Sequence, residues 1–166
     1  MDILKTATDW AKAEMFSTAF FIYFGIAFIL LGIGFWQLGK TDLAKAYIFP
    51  AIIAGTLLMI IGLGLFFTNK TRVTQFEEAY KKSESAFVQS EIERTESTLK
   101  EYKNVVFTVI PIIIAICAIL LIFFKAPLMR ASMVTSIAML IVILLIDGTA
   151  HARIQTYHKQ LISITK

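Results

Sequence analysis

Four stretches of the chain stay apolar long enough to cross a bilayer, and the polar residues gather between them. They run from Met15 to Trp36, Ala46 to Phe67, Val105 to Phe124 and Pro127 to Ile146, with 22, 22, 20 and 20 residues. A hydrocarbon core of about 30 Å takes roughly 20 helical residues. None of the runs alternates with period two, which predicts helices rather than barrel strands. The first run reads as a retained span, because it is longer than a signal-peptide core and Asp2, Lys5, Asp9, Lys12 and Glu14 precede it.

Between the second and third runs the pattern changes. Over residues 69–103, Phe76, Tyr80, Ser83 and Phe87 step by four, three and four, and Val88, Ile92, Thr95, Leu99 and Tyr102 continue in the same rhythm with a one-residue slip. Both are helical stripes. They predict two helices, about 69–82 and 86–103, that meet near Ser83–Ser85, where serine side chains can cap a helix N-terminus. The tail, 147–166, carries a third stripe of Ile154, Tyr157, Leu161 and Ile164. A small bundle of these stripes is the expected packing. Phe76, Tyr80, Phe87, Val88, Ile92 and Leu99 form the candidate contact stripe if the helices recognise a partner.

The expected fold class is therefore all-α, a single integral membrane domain over 1–166. It is a four-transmembrane-helix bundle built as two antiparallel hairpins, with a cytoplasmic helical hairpin extension. Composition agrees, with 57% apolar and 17% charged residues against about 25% charged in soluble domains. The single cysteine, Cys117, allows no internal disulfide. Basic residues set the sidedness. Twelve lysines and arginines, among them Lys70, Arg72, Arg94, Arg153 and Lys166, lie on the side of the termini and the 69–103 segment, against Lys40, Lys45, Lys125 and Arg130 on the other. That bias places both termini in the cytoplasm of a plasma or inner membrane. Residues 69–103 hold seven basic and seven acidic residues, a neutral balance that excludes a nucleic-acid partner.

Two echoes point to an internal duplication. Lys40 to Ala46 and Lys125 to Ala131 both read K-x-x-L-x-[KR]-A, and Arg72 to Phe76 and Arg153 to Tyr157 both read R-[VI]-x-x-[FY]. They predict a parallel 2+2 repeat about an axis along the membrane normal. The halves have diverged, since seven of the eight glycines lie between Gly25 and Gly64. Gly25 and Gly32, and Gly55 and Gly62, are each seven residues apart, the spacing of one helix face, so the first two spans should be the tight pair. Pro111 lies about two turns into the third span, where it frees a carbonyl near Phe107; a kink or local unwinding is expected, and with it a candidate hinge.

Ionisable residues at the span edges are the candidates for chemistry. Asp147 ends the fourth span, and His151 follows one turn later on the same face. With Arg153 and Arg72 they form a candidate polar site at the membrane edge, the carboxylate being either paired with one of these arginines or simply hydrated. No catalytic motif, metal-ligand spacing or cofactor box accompanies them, so catalytic residues, metal and cofactor are all expected to be none. The leading expectation is a non-enzymatic membrane subunit. Its partners would be membrane lipids and either a second copy of itself, as a homo-oligomer, or another membrane protein met through the cytoplasmic helices. The alternatives are a channel or transporter subunit with Asp147 and His151 on its pathway, and a membrane-embedded enzyme acting on a lipophilic substrate.

Overall fold

The computed structural model describes residues 2–164; Met1, Thr165 and Lys166, the last counted above for sidedness, lie outside the described residues. Helix α1 spans Ile3–Leu38, α2 Asp42–Ala46, α3 Ile48–Lys82, α4 Glu84–Glu101, α5 Ile110–Phe123 and α6 Pro127–Ile164, with a π-helical stretch, Tyr102–Val109, joining α4 to α5. No strand occurs among the described residues. Four helical paths are long and apolar enough to cross a membrane: α1, α2 with α3, α4 through α5, and α6. At 1.5 Å per residue the 36 residues of α1 reach about 54 Å, far more than a bilayer core requires. The excess projects at the end of the bundle that carries both termini, called the polar end below.

Local chemistry explains the boundaries. Asp2 caps α1 by accepting a hydrogen bond from the Lys5 N–H at 3.1 Å. Ser83 is extended between α3 and α4, and its hydroxyl accepts from the Ala86 N–H at 3.4 Å. The connection over Gln37–Lys45 is itself partly helical, because Thr41 caps α2 by accepting from the Ala44 N–H at 3.1 Å. The two K-x-x-L-x-[KR]-A segments thus differ locally, one holding a separate short helix and the other opening α6. The helical path continues through Pro111. The chain ahead of it widens to π geometry, in which the Ile110 N–H reaches the Val105 carbonyl and the Thr108 hydroxyl donates to the Lys103 carbonyl at 2.8 Å. The missing N–H of Pro111 falls at the change of register rather than within a regular ladder.

Helices α1 and α3 make the most extensive contact in the bundle. A Cβ on Gly25 would lie 2.9 Å from the Gly55 carbonyl oxygen, and one on Gly55 would lie 2.6 Å from that of Gly25. Gly32 sits against Ile48 and Ile52, and Gly62 against Phe21 and Ile22. The glycines singled out by spacing therefore lie at the contact, where two backbones approach too closely for a side chain. Midway along the bundle Phe21, Leu58 and Ile146 form a buried plug with Phe24, Phe28, Met139, Val142 and Ile143 around it. Helix α5 rests mainly on α6 and leaves Ile112, Ile116, Ile119 and Ile122 exposed.

The largest buried cluster lies at the polar end. Ile3, Ala7, Trp10 and Ala11 of α1 meet Phe76 of α3, Phe87 and Val88 of α4, and Ile154, Tyr157 and Leu161 of α6. Tyr80, Ile92 and Leu99 pack against this cluster. All six residues of the candidate contact stripe thus belong to, or pack against, one buried cluster shared with the terminal helices.

Candidate functional site

Where the polar-end cluster meets the apolar spans, α1, α3, α4, α6 and the π-helical stretch enclose a cavity of about 450 Å³. Its inner part is largely apolar, formed by Phe21, Leu65, Val105, Val106 and Ile146 with Asp147 beside them, and its outer wall carries Trp10, Glu14, Asn69, Arg72, Arg94 and Tyr102. The contribution of α1 follows from its register. Ile3, Ala7, Trp10, Glu14, Ser17, Phe21 and Gly25 step by three and four and are all buried. Glu14 and Ser17 belong to the buried face although they are polar.

Two of the charged groups lining the cavity, Arg94 and Glu14, are paired. Arg94 donates Nε to Glu91 Oε1 at 2.7 Å and Nη2 to Glu91 Oε2 at 2.6 Å, the bidentate geometry that fixes a guanidinium in place. The Tyr157 hydroxyl donates to the same Glu91 Oε2 at 2.9 Å. Tyr157 stacks on Trp10 with centroids 5.3 Å apart and planes 11° from parallel, and Arg94 lies 4.5 Å from the centre of the indole. Trp10, Tyr157, Arg94 and Glu91 are therefore one rigid unit. Arg153 donates Nε to Glu14 Oε1 at 2.8 Å. His158 Nδ1 and the buried Thr95 hydroxyl are 2.7 Å apart.

The residues expected at the membrane edge separate. Arg72 and Asp147 line the cavity, whereas Arg153 turns to Glu14, and His151 packs edge-on against Tyr102 at 5.6 Å and Phe107 at 5.0 Å. Of the two alternatives for Asp147, no pairing with Arg72 or Arg153 forms. Glu14 takes Arg153, and Arg72 donates Nη1 to the neutral Asn69 Oδ1 at 2.9 Å. Among the described residues neither Arg72 nor Asp147 has an ion-pair partner. The buried Trp10 Nε1 and Arg153 Nη2 also lack acceptors there. No group of metal-ligating residues occurs among the described residues. Pro111 adjoins the site indirectly, since the π-helical stretch before it contributes Tyr102, Val105 and Val106 to the wall. Wide turns of this kind recur where a helix must present side chains out of regular register.

Glu14, Trp10, Asn69, Glu91 and Arg94 were not singled out by sequence reasoning. Their signal is the unbroken spacing from Ile3 to Gly25, and for Glu91 its place one residue before Ile92 on the buried face of α4.

Electrostatics follow the burial. Arg72 is pushed below its ordinary value by burial first and by the nearby Arg94 charge second. The Tyr157 phenol is pushed up by burial and then by Glu91. A raised phenol stays protonated in the folded chain while the unfolded chain ionises near pH 10.0. Stability is therefore unaffected below that value and falls as pH rises through it, by up to about 1.4 kcal/mol per pH unit. Tyr157→Phe should lessen this slope in thermal unfolding measured between about pH 9 and 11, leaving the part due to the likewise buried Tyr102 phenol. An unchanged slope would show that the phenol is not held as described. No family model, curated protein or solved structure matches the chain.

Proposed function

We propose that this chain is a non-enzymatic, multi-pass membrane protein that binds a small ligand in the cavity at its polar end. The carrying observation is the cavity wall: a rigid Trp10–Tyr157–Arg94–Glu91 unit facing an unpaired Arg72 and Asp147. Charged groups locked into static pairs suit holding a ligand rather than transforming it. The polar end is cytoplasmic in this reading, supported by the twelve-to-four basic bias. Membrane lipid covers the outward apolar faces such as Ile112–Ile122 of α5. The spans form two antiparallel hairpins. For the first, support comes from Gly25 meeting Gly55 while Gly32 meets Ile48 and Gly62 meets Phe21. The 2+2 repeat draws support from its second echo, since Phe76 and Tyr157 share one buried cluster.

The alternatives have weaker support. A docking role for the 69–103 helices would have to displace the terminal helices that cover their stripe, so oligomerisation or a protein partner would use another surface. A transport route would have to pass the plug of Phe21, Leu58 and Ile146.

The test uses Trp10 as its reporter. Trp10 and Trp36 are the chain's two tryptophans, so Trp36→Phe isolates it. Protein in lipid nanodiscs should show saturable changes in Trp10 emission with some member of a panel of small charged metabolites and lipids. Ala150→Leu, which fills the cavity from α6, should abolish them. Silence across the panel, or a response that survives Ala150→Leu, would remove the reading.

A further inference from the structure

Once the paired groups are set aside, the cavity retains one cation, Arg72, and one carboxylate, Asp147. Glu101 adds a charge at the exposed rim. The two unmatched groups lie at different depths. Asp147 adjoins Ile146 of the apolar plug and is six residues, about 9 Å along α6, inward of Arg153. Arg72 lies at the outer end, 5.8 Å from the centre of Trp10, itself 8% exposed, whose indole N–H is buried without an acceptor. Arg94 and Glu14, also in the wall, are already neutralised by Glu91 and Arg153. The cavity is dipolar in its unmatched groups, with Arg72 and the Trp10 N–H toward its outer end and Asp147 toward its inner end. A purely anionic ligand would face the unmatched Asp147, and a purely cationic one the unmatched Arg72; like charges brought together in a site of this kind cost free energy that a matched ligand avoids.

Building on the ligand-binding reading, we infer that the cavity takes a small zwitterion, its ammonium group inward on Asp147 and its carboxylate or phosphate outward on Arg72 and the Trp10 N–H. The apolar wall of Val105, Val106 and Leu65 takes the methylene spacer. Such a dipole could come from the aqueous phase or from a phosphoethanolamine headgroup. The depth order favours the aqueous source, because a bilayer lipid presents its phosphate inward of its amine.

The Trp36→Phe protein in phosphatidylcholine nanodiscs is titrated with 6-aminohexanoate, hexanoate and hexylamine, and with vesicles containing phosphatidylethanolamine. The zwitterion should bind at least tenfold more tightly than either singly charged analogue. Asp147→Asn should erase its advantage over hexanoate, and Arg72→Gln its advantage over hexylamine. These ratios are taken within each variant, so a partly misfolded sample does not distort them. A response confined to phosphatidylethanolamine, lost with Asp147→Asn, would support the same chemistry from the lipid source. Singly charged analogues that bind the wild type as well as the zwitterion would overturn the inference while leaving a ligand cavity in place. If no titrant moves the Trp10 signal, and none from the wider panel does either, both readings fall.

Discussion

Gly55→Ala should destabilise the protein by about 2–3 kcal/mol, while Gly64→Ala, nine residues further along the same helix, should leave it unchanged or slightly more stable. Both substitutions add one methyl group and both remove the backbone freedom of glycine, which on its own favours alanine in a helix by about 1 kcal/mol. Their surroundings differ. The added carbon at position 55 would lie 2.6 Å from the Gly25 carbonyl oxygen and 2.9 Å from the Ile29 nitrogen. These are backbone atoms, and no side-chain rotation can move them away, so α1 and α3 must separate along their length. At position 64 nothing lies within 4 Å. Gly34, which is equally open, supplies a second control on α1. Thermal unfolding in one detergent gives the comparison directly. Equal melting of Gly55→Ala and Gly64→Ala would show that the α1–α3 contact is looser than described, and the first-hairpin pairing proposed above would lose its support.

The same contact shows what could be read from the chain before folding. A span is set by the length of a charge-free run, and helix-face packing by the seven-residue spacing of Gly25 with Gly32 and Gly55 with Gly62. Both are local properties, so four long apolar helices and the positions of the close contact were legible. The stripes of 69–103 and of the tail were legible for the same reason, and their covering by α1 needed only the extension of one rhythm back to Ile3. Pairing was not legible. Glu14 and Arg153 are 139 residues apart, and Tyr157 and Glu91 are 66 apart; no local pattern selects Glu14 over Asp147 as the partner of Arg153. Glu14 was not singled out because it lies outside the charge-free run, whereas helix α1 and its buried face continue back to Ile3. The π-helical stretch left only Pro111 as a sign, and a proline alone does not distinguish a kink from a widened turn.

Glu91→Gln should be the most damaging single substitution at the polar end, costing about 3 kcal/mol, a fall of roughly 10 °C in melting temperature for a chain of this size. Glu91 is 4% exposed and holds three hydrogen bonds, two from Arg94 and one from the Tyr157 hydroxyl. Glutamine keeps the shape but removes the charge and turns one acceptor into a donor. Arg94 would then remain a partly buried cation against the Trp10 ring with no carboxylate beside it and the like charge of Arg72 nearby. Glu77→Gln is the control. Glu77 also pairs with a basic residue, Lys81 at 3.2 Å, but both side chains are more than half exposed, and such pairs are worth little because water already solvates each charge. The double change Glu91→Gln with Arg94→Met should recover most of the loss, since the stranded charge goes with its partner and the methionine stem can still cover Trp10. If the double variant is instead less stable than Glu91→Gln alone, the penalty lies in lost packing rather than in an orphaned charge. Trp10 would then be held by contact area, and the cavity's outer wall would not need its ion pair to keep its shape.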